Sequence, residues 1–547
     1  VRVDNDRHPD VNRRYNMGGW PTTAFLAPSG DVLTGGTYMP PGQMLESLAR
    51  VKAFFDANKA KIAALEGECA TDADGSARTR LAGGPLSPEL ALEALEGDPD
   101  VPGDISAEVA VEIVRGFDPL YGGLGAEPKF PQPDVFGFML AYGTLRGAGD
   151  PDHVPEGGSA LLRPARVQEV VRATLMAMAG GRLYDDVEGG FFRYATQRDW
   201  TVPHYEKMLE DNARLVLLYL EASLYARDHD LGDPELYRRA AGGTIDYLVE
   251  TLWRDDAGAF GGSQDADEEY YLLDEGGRAK LPPPFVDPTV YVDWNALTAR
   301  ALLRGAAVLD RPELTDRALG MLDGLCRGAR RGDAMAHFVH PDGETGDGAP
   351  LLGDQVAVAA AALDAYEVTA DRRWLRRART LALWTADNLS QPDGRLLDRL
   401  AVPGESPGLL AHPVPAIEEN AAMAEVLLRL EAYTGEARLR EQALEILAAW
   451  APHHEQYGVQ AAAYAQALLR YLERPDQIVV VGRREDPEAR RLHAAALVTA
   501  APLRTVQWLD PADSADSERL REAALPEDGE VAAAYVCRGH TCAPFRA

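Results

Sequence analysis

From residue 105 to about 472 the chain alternates apolar-striped helical segments with loops that repeat one theme, and this alternation leaves few folds open. The loop Phe117-Asp118-Pro119-Leu120-Tyr121-Gly122-Gly123 is echoed by Leu183-Tyr184-Asp185-Asp186-Val187-Glu188-Gly189-Gly190-Phe191 and by Trp253-Arg254-Asp255-Asp256-Ala257-Gly258-Ala259-Phe260. Weaker echoes are His340-Pro341-Asp342-Gly343 and Gln391-Pro392-Asp393-Gly394. Around these loops the spacing predicts twelve helices, near 105–116, 134–146, 165–179, 203–227, 235–253, 293–309, 312–327, 355–369, 372–388, 418–434, 437–451 and 457–472. Leu215, Leu218, Tyr219 and Ala222 show the three- and four-residue spacing of one buried stripe. A helical repeat with a turn at each Asp/Gly cluster stacks hairpins in a ring or a solenoid, because one hairpin alone cannot bury its apolar face. Twelve helices as six hairpins close an (α/α)6 toroid, with loop-borne polar residues around one mouth of a central cavity. The expected fold is therefore mostly α, with a toroid over 105–474.

The flanks read differently. Pro21 stands before an apolar run at 22–27, Pro28-Ser29-Gly30 supplies a turn, and 31–34 returns as a second strand. A Pro ahead of a buried strand suggests a cis bond. The pattern is that of the second half of a thioredoxin-like α/β domain, here 1–66, with an amphipathic helix over 43–65 expected to pack on it. Residues 67–104, rich in Gly, Pro, Asp and Ala, read as a linker. Residues 475–547 read as a small α/β module: strands at 477–482, 505–509 and 532–537, and a helix near 486–499.

A chain of 547 residues is too long for one core. Its formal charge of −31, with only 6 lysines against 49 arginines, gives no cationic footprint for nucleic acid or an anionic membrane. It fits a GC-rich genome or a high-salt cytoplasm. No apolar run reaches membrane-span length and no secretory signal opens the chain, so a cytoplasmic protein is expected. Four scattered cysteines, Cys69, Cys326, Cys537 and Cys542, do not make a disulfide scaffold.

The densest polar cluster runs from Trp200 to Asn212. Pro203 suits a helix's first turn, and helical spacing then sets His204, Lys207 and Asp211 on one face, with Asn212 at its margin and Glu206 turned away. His204 beside amine and carboxylate could do acid–base work near neutral pH; equally, Lys207 and Asp211 fit an i,i+4 ion pair. In an extended loop Asp265 and Asp267, next to Gln264, point the same way and could share a proton, bind sugar hydroxyls or hold a cation, or form a solvated face. Glu127 and Lys129 could stand at a cavity mouth, and Trp200, Trp294, Tyr194 and Phe192 could offer flat faces to a cyclic ligand. Asn295 and Asn420 lie early in helices, where capping is the duller role. Cys537 and Cys542 frame His540 as a thiol pair or half a metal site; with no second Cys/His pair nearby, reduced thiols without a redox role are the plainer reading. No metal or cofactor is expected.

Several of these stretches resemble the spermatogenesis-associated thioredoxin-domain family, YyaL-like in bacteria. They are Val3 to Val11, Gly18-Gly19-Trp20-Pro21, Gly35 to Pro40, Glu127 to Pro131, Pro203 to Asn212, Gln264 to Asp267, Trp294-Asn295, Ala534 to Cys537 and Cys542. The resemblance implies a thioredoxin-like domain followed by a six-hairpin toroid similar to those of N-acylglucosamine 2-epimerases and some glycosidases. The family's upstream Cys-His-Trp-Cys-type segment is missing, so the chain reads as amino-terminally truncated, and Glu418-Glu419-Asn420 stands where the family shows Ser-Gly-Asn. The expected function is a toroid that binds, and could epimerise or isomerise, a sugar-like small molecule. His204, Asp265 and Asp267 would be catalytic. Glu127, Lys129, Tyr194, Trp200, Glu206, Lys207, Asp211, Asn212, Gln264, Trp294 and Asn295 would line the site, with His412 or Glu206 as the counterpart of His204. The alternatives are a thiol–disulfide redox protein, through cysteines upstream or Cys537 and Cys542, and a non-catalytic binding or scaffold protein.

Overall fold

The structure, a computed structural model, describes residues 1–71, 88–95, 104–147, 159–227, 229–401, 408–526, 531–539 and 541–545. Helix α1 (Pro9–Tyr15), an antiparallel strand pair (Thr23–Leu26 with Val32–Gly36) and the long helix α2 (Pro41–Thr71) open the chain. The Trp20–Pro21 bond is cis. Against expectation, α2 turns Leu45 (68% exposed) and Phe54 (55%) to solvent rather than packing its apolar face on the strands. The stretch read as a linker contains α3 (Pro88–Leu95), which buries Ala91 and Leu95; most of the remainder lies outside the described residues.

The toroid follows as six hairpins, each an outer helix and then an inner one. They pair α4 (Ile105–Gly116) with α5 (Pro133–Arg146) and α6 (Pro164–Gly180) with α7 (Leu209–Tyr225). In the third, two short helices, α9 (Glu268–Tyr271) and α10 (Glu275–Arg278), stand between α8 (Pro234–Tyr247) and α11 (Val292–Val308). Then come α12 (Glu313–Gly328) with α13 (Leu352–Thr369), α14 (Arg372–Leu389) with α15 (Ile417–Thr434), and α16 (Ala437–Trp450) with α17 (Ala462–Glu473). Each inner helix packs on the next and α17 returns to α5, so the ring closes. Composition decides which helix goes inside. The run Val358-Ala359-Ala360-Ala361-Ala362-Leu363 of α13 is buried throughout, as a helix enclosed on most sides must be. Helix α14 instead carries Arg372, Arg373, Arg376 and Arg377 on one face and buries Trp374, Leu375, Ala378 and Leu381 on the other.

One predicted helix start is wrong in a way that matters. Residues 203–208 are extended: Pro203–His204 pairs with Tyr194–Ala195, Lys207–Met208 pairs with Ser263–Gln264, and the helix begins at Leu209. The shared helical face of His204, Lys207 and Asp211 therefore does not exist. Pro203 fits a helix's first turn, but it fits a strand's first residue equally well.

The closing module is a four-stranded sheet in the order Thr505–Leu509, Gln477–Val481, Ala533–Arg538, Thr541–Pro544, its first pair parallel and the others antiparallel, with α18 (Pro487–Leu497) and α19 (Ser514–Glu522) on it. It seats on the carboxyl ends of the inner helices: Gln507 donates to the Tyr366 hydroxyl and the Tyr433 carbonyl (both 3.0 Å), and His493 Nε2 meets the Glu367 carbonyl at 2.7 Å. Cys537 and Cys542, read as reduced, face each other across the last two strands as a disulfide, their Cα atoms 4.0 Å apart. Pairing them in register is what brings the thiols into bonding distance.

Candidate functional site

Four inner helices begin with the same clamp. The fourth residue of each, Asn212, Asn295, Gln355 or Asn420, accepts from the backbone N–H of a residue in the preceding loop and donates to that residue's carbonyl. The partners are Phe191 (2.6 and 3.0 Å), Phe260 (2.8 and 3.1 Å), Met335 (2.7 and 3.0 Å) and Leu396 (2.7 and 2.9 Å). All four amides are buried, and each also donates to the carbonyl four residues back. They hold a loop against a helix entrance, and with both amide donors spent on backbone and the oxygen already accepting they serve the clamp rather than a ligand.

Two loops carry a second device. Asp118 receives Lys129 Nζ at 2.9 Å and Arg198 at 2.8 and 2.9 Å; Asp185 receives Lys207 Nζ at 2.7 Å and Arg278 at 2.7 and 3.0 Å. Each lysine also donates to a glycine carbonyl of its own Gly-Gly turn: Lys129 to Gly122 and Lys207 to Gly189. Both turn glycines have positive φ, and a Cβ on Gly189 would stand 2.3 Å from the Gly243 carbonyl oxygen. The Arg198 fork, with help from Lys129, holds the Asp118 carboxyl well below the carboxylate range. Burial draws the Lys207 ammonium down to about 8 against the pull of Asp185.

With the loops fixed, the amino ends of the inner helices ring the mouth of a cavity of 580 Å³ along the toroid axis. Acidic residues occupy their opening positions: Asp134, Glu210, Asp293, Asp354 and Glu418. Glu210 and Asp134 are bridged by Arg214, and Glu419 by Arg13 at 2.6 Å. Burial, then Asp354 and Glu210, raise the Asp293 carboxyl to about 7 in spite of His337; its side chain keeps 27% exposure. Asp211, beside Glu210 and the Arg193–Glu206 pair, is also raised to about 7, chiefly by burial.

His337 Nδ1 lies 3.0 Å from Asp354 and Nε2 lies 2.8 Å from the Asp6 carbonyl. Both partners are acceptors, so the ring donates twice and carries a proton; burial opposes the charge, but Asp354 and Asp293 outweigh it and push the pKa up to about 10. Asp293, His337 and Asp354 are close enough to surround a cation, yet a ring donating through both nitrogens has no lone pair to give one. The Asp6 carbonyl belongs to a strap, residues 4–16, laid over the mouth. Arg14 anchors the strap on Asp398 at 2.8 and 3.0 Å, and Arg399 reaches Asp10 at 3.0 Å.

Of the residues singled out from sequence, Trp294 lines the cavity; Asp211 lies beside the lining residue Glu210 and near Glu206, and neither Asp211 nor Glu206 is in the lining. His204 sits in a short strand with its ring edge on Tyr194, which stacks on Phe130, and lies outside the cavity lining. Asp265 is exposed, its carboxyl raised by partial burial and by Glu206, while Asp267 caps α9. Glu127 is exposed, the His412 carbonyl accepts from Arg14, and the Trp200 indole is buried and donates to Tyr121. Gln264 is buried and accepts from Tyr247 and Tyr271, and the amides of Asn212 and Asn295 are clamps. His337, in the loop before α13, escaped notice because nothing local marks it; Asp293, Asp354 and Glu210 did because a first-turn acid reads as ordinary helix-dipole compensation. The recurrence of these acids at the head of one inner helix after another was the available signal.

The closed ring and its axial cavity define the chain as an (α/α)6 toroid protein. Among solved structures it is similar to a D-mannose isomerase (TM-score 0.51, 12% identity, over 68% of this chain and 96% of that one). It is also similar to a cellobiose 2-epimerase from Bacillus thermoamylovorans B4167 (TM-score 0.50, 11% identity, over 66% and 95%). In sequence it is a relative of spermatogenesis-associated protein 20, being 30% identical to the Homo sapiens protein over 283 residues, as the motifs suggested. That match takes in 49% of this chain and 32% of the human protein, so the chain spans about a third of the length of the curated relatives it matches. No protein-family model matches. No described helix is long and apolar enough to cross a membrane.

Proposed function

We propose that the axial cavity binds a sugar-like small molecule and that Asp293 exchanges a proton with it. The supporting observation is the cavity itself. Its 580 Å³ falls within the range of small-ligand sites, Trp294 offers an indole to a ring face, and Asp293 stands beside that indole with a carboxyl poised near neutrality. An acid–base group works best when its pKa lies near the working pH. Epimerisation or isomerisation needs such a group at a carbon next to a carbonyl. The likeness to sugar isomerases and epimerases is one of fold, so it supports a cavity of this kind without naming a substrate.

The test is a thermal-shift screen of free and N-acetylated sugars on wild type and Asp293→Asn, followed by proton NMR in D2O on any sugar that stabilises. A sugar at about a hundredfold over its Kd adds about 2.7 kcal/mol of stability. Deuterium should enter that sugar next to its carbonyl with wild type and at least a hundredfold more slowly with the variant. If no sugar stabilises the wild type, the reading fails. Binding without exchange would leave a sugar-binding protein and remove the catalytic role of Asp293.

A further inference from the structure

The far end of the cavity has the opposite electrical character to its mouth. Five arginines gather there, Arg300, Arg304, Arg429, Arg470 and Arg504, against four carboxylates, Glu221, Asp364, Glu367 and Glu425. In a chain with 86 acidic and 55 basic residues, a buried locus with surplus cations is unusual. Three of the arginines are well matched. Arg300 donates to Asp364 at 2.7 Å, Arg429 to Asp364 at 2.6 Å and Glu367 at 3.0 Å, and Arg304 to Glu221 at 2.6 Å.

The other two are not. Arg470 and Arg504 reach Glu425 and Glu221 only at 3.8 Å, and what holds them is backbone: Arg470 donates to the Leu503 carbonyl at 2.8 Å and Arg504 to the Leu497 carbonyl at 2.5 Å. Gln466 donates to the same Glu425 oxygen that lies nearest Arg470. Arg470 Nε and Arg304 Nη2 are buried and make no hydrogen bond, although the Arg470 side chain keeps only 10% of its exposure. Burial lowers the pKa of Arg470 and of Arg504, and their carboxylates do not restore it. Buried donors normally have acceptors, and a guanidinium fork fits a carboxylate or phosphate better than any neutral group.

We infer that this floor is an oxyanion seat, and that the cavity's ligand is a small polyol bearing a carboxylate or phosphate at one end. The inference rests on the proposed sugar-binding cavity and narrows its ligand class. From Glu210 at the mouth to Glu221 at the floor is eleven residues of α7, roughly 16 Å along the axis. A ligand seated by its anion on Arg470 and Arg504 therefore points its neutral portion up the axis, and only one that spans most of that length brings a carbon to Asp293. The acidic mouth would repel the same anion, which orients the ligand charge-first toward the floor.

The experiment is calorimetric titration of the full chain, at low salt, with glucose, glucuronate, glucose 6-phosphate and inorganic phosphate. Wild type, Arg470→Gln and Arg470→Lys are compared, each checked for folding by circular dichroism. The lysine variant keeps the charge and serves if the glutamine variant does not fold. The expected result is that glucuronate or glucose 6-phosphate binds at least tenfold more tightly than glucose. Arg470→Gln should remove that advantage, and Arg470→Lys should keep part of it. The two charged sugars tell a carboxylate from a phosphate seat. Phosphate binding that is lost in Arg470→Gln, with no sugar bound at all, would uphold the seat and defeat the sugar reading. Equal affinity for glucose and the charged sugars would overturn the seat and leave the sugar cavity standing. Anion binding indifferent to both variants would also overturn it, and silence from every probe would defeat seat and cavity together.

Discussion

At the scale of single residues, the same side-chain types divide between holding the loops and facing the cavity, and neighbours along the chain fall on different sides. Asn295 and Asp293 stand two residues apart at the head of α11. Asn295 has every polar atom committed to backbone, whereas Asp293 opens on the cavity with a raised pKa. Replacing Asn295 by Ala strands the buried N–H and carbonyl of Phe260, an expected loss of about 2–3 kcal/mol. Calorimetric melting should show a fall of several degrees with no change in ligand affinity per folded molecule. If Asn295→Ala melts like wild type, the clamp is dispensable. Lys207→Met leaves Asp185 buried with only Arg278, and breaking a buried pair from one side costs about 3 kcal/mol. Glu206→Gln, which loosens the partly exposed Arg193 pair, whose side chains keep 27% and 22% exposure, should cost less, about 1 kcal/mol. Denaturant titration of both variants checks that ordering, and the reverse order would mean that Lys207 is not structural.

At the scale of elements, the helices were legible and the segments between them were not. Apolar periodicity located the inner and outer helices to within a few residues because a helix facing a core on one side must repeat every three to four positions. The stretch 203–208 defeated that logic: its partners, Tyr194–Ala195 and Ser263–Gln264, lie on both sides along the chain, so nothing local marks it as extended. The burial of Lys129 and Lys207 was half visible. Both follow an Asp-to-Gly-Gly loop in a chain with only six lysines, but at separations of 11 and 22 residues from their aspartates, too irregular for a spacing rule. The strap over the mouth was not readable at all, since Arg14 meets Asp398 across 384 positions. That pair is almost wholly buried, so Arg14→Ala should release the strap at an expected loss of about 3–5 kcal/mol. Hydrogen exchange should then quicken in residues 4–16 and in 408–414, which Arg14 also contacts through the Leu409 and His412 carbonyls. Unchanged protection in both stretches would show that the strap is held by something other than this arginine.

For the whole molecule, the arrangement of charge sets how stability follows pH. Six carboxyls at or beside the mouth have folded-state pKa values above their ordinary ones: Asp6 at about 6, Asp211 and Asp293 at about 7, and Asp354, Glu418 and Glu419 in the same direction, each raised first by burial. An acid that keeps its proton longer when folded contributes fully below its unfolded pKa, and that contribution is lost as pH rises through the folded value. These groups therefore weaken the fold between about pH 4 and pH 7. His337, raised to about 10 from 6.5, has the same sign in a higher window, complete below 6.5 and lost toward 10. Asp364 runs the other way. Despite its burial, Arg429 and Arg300 hold it at about 2, so its contribution is present above 3.8 and lost as the medium becomes more acid. The two sets together place the Tm maximum near pH 5, with a decline through neutrality that the net charge of −31 steepens by self-repulsion. Salt should flatten the part that arises from exposed charge and leave most of the part that arises at the mouth, where burial limits screening. Tm measured from pH 4.5 to 8.5 on wild type and on Asp211→Asn/Asp293→Asn would separate the two sources. The double variant has lost the two carboxyls that titrate at about 7, so it should decline less steeply between pH 6 and 8 at every salt concentration. A wild-type Tm that is level or rising over that interval would mean that the mouth carboxyls are solvated and titrate as ordinary acids, and Asp293 would then lose its claim as a proton-transfer group near neutral pH.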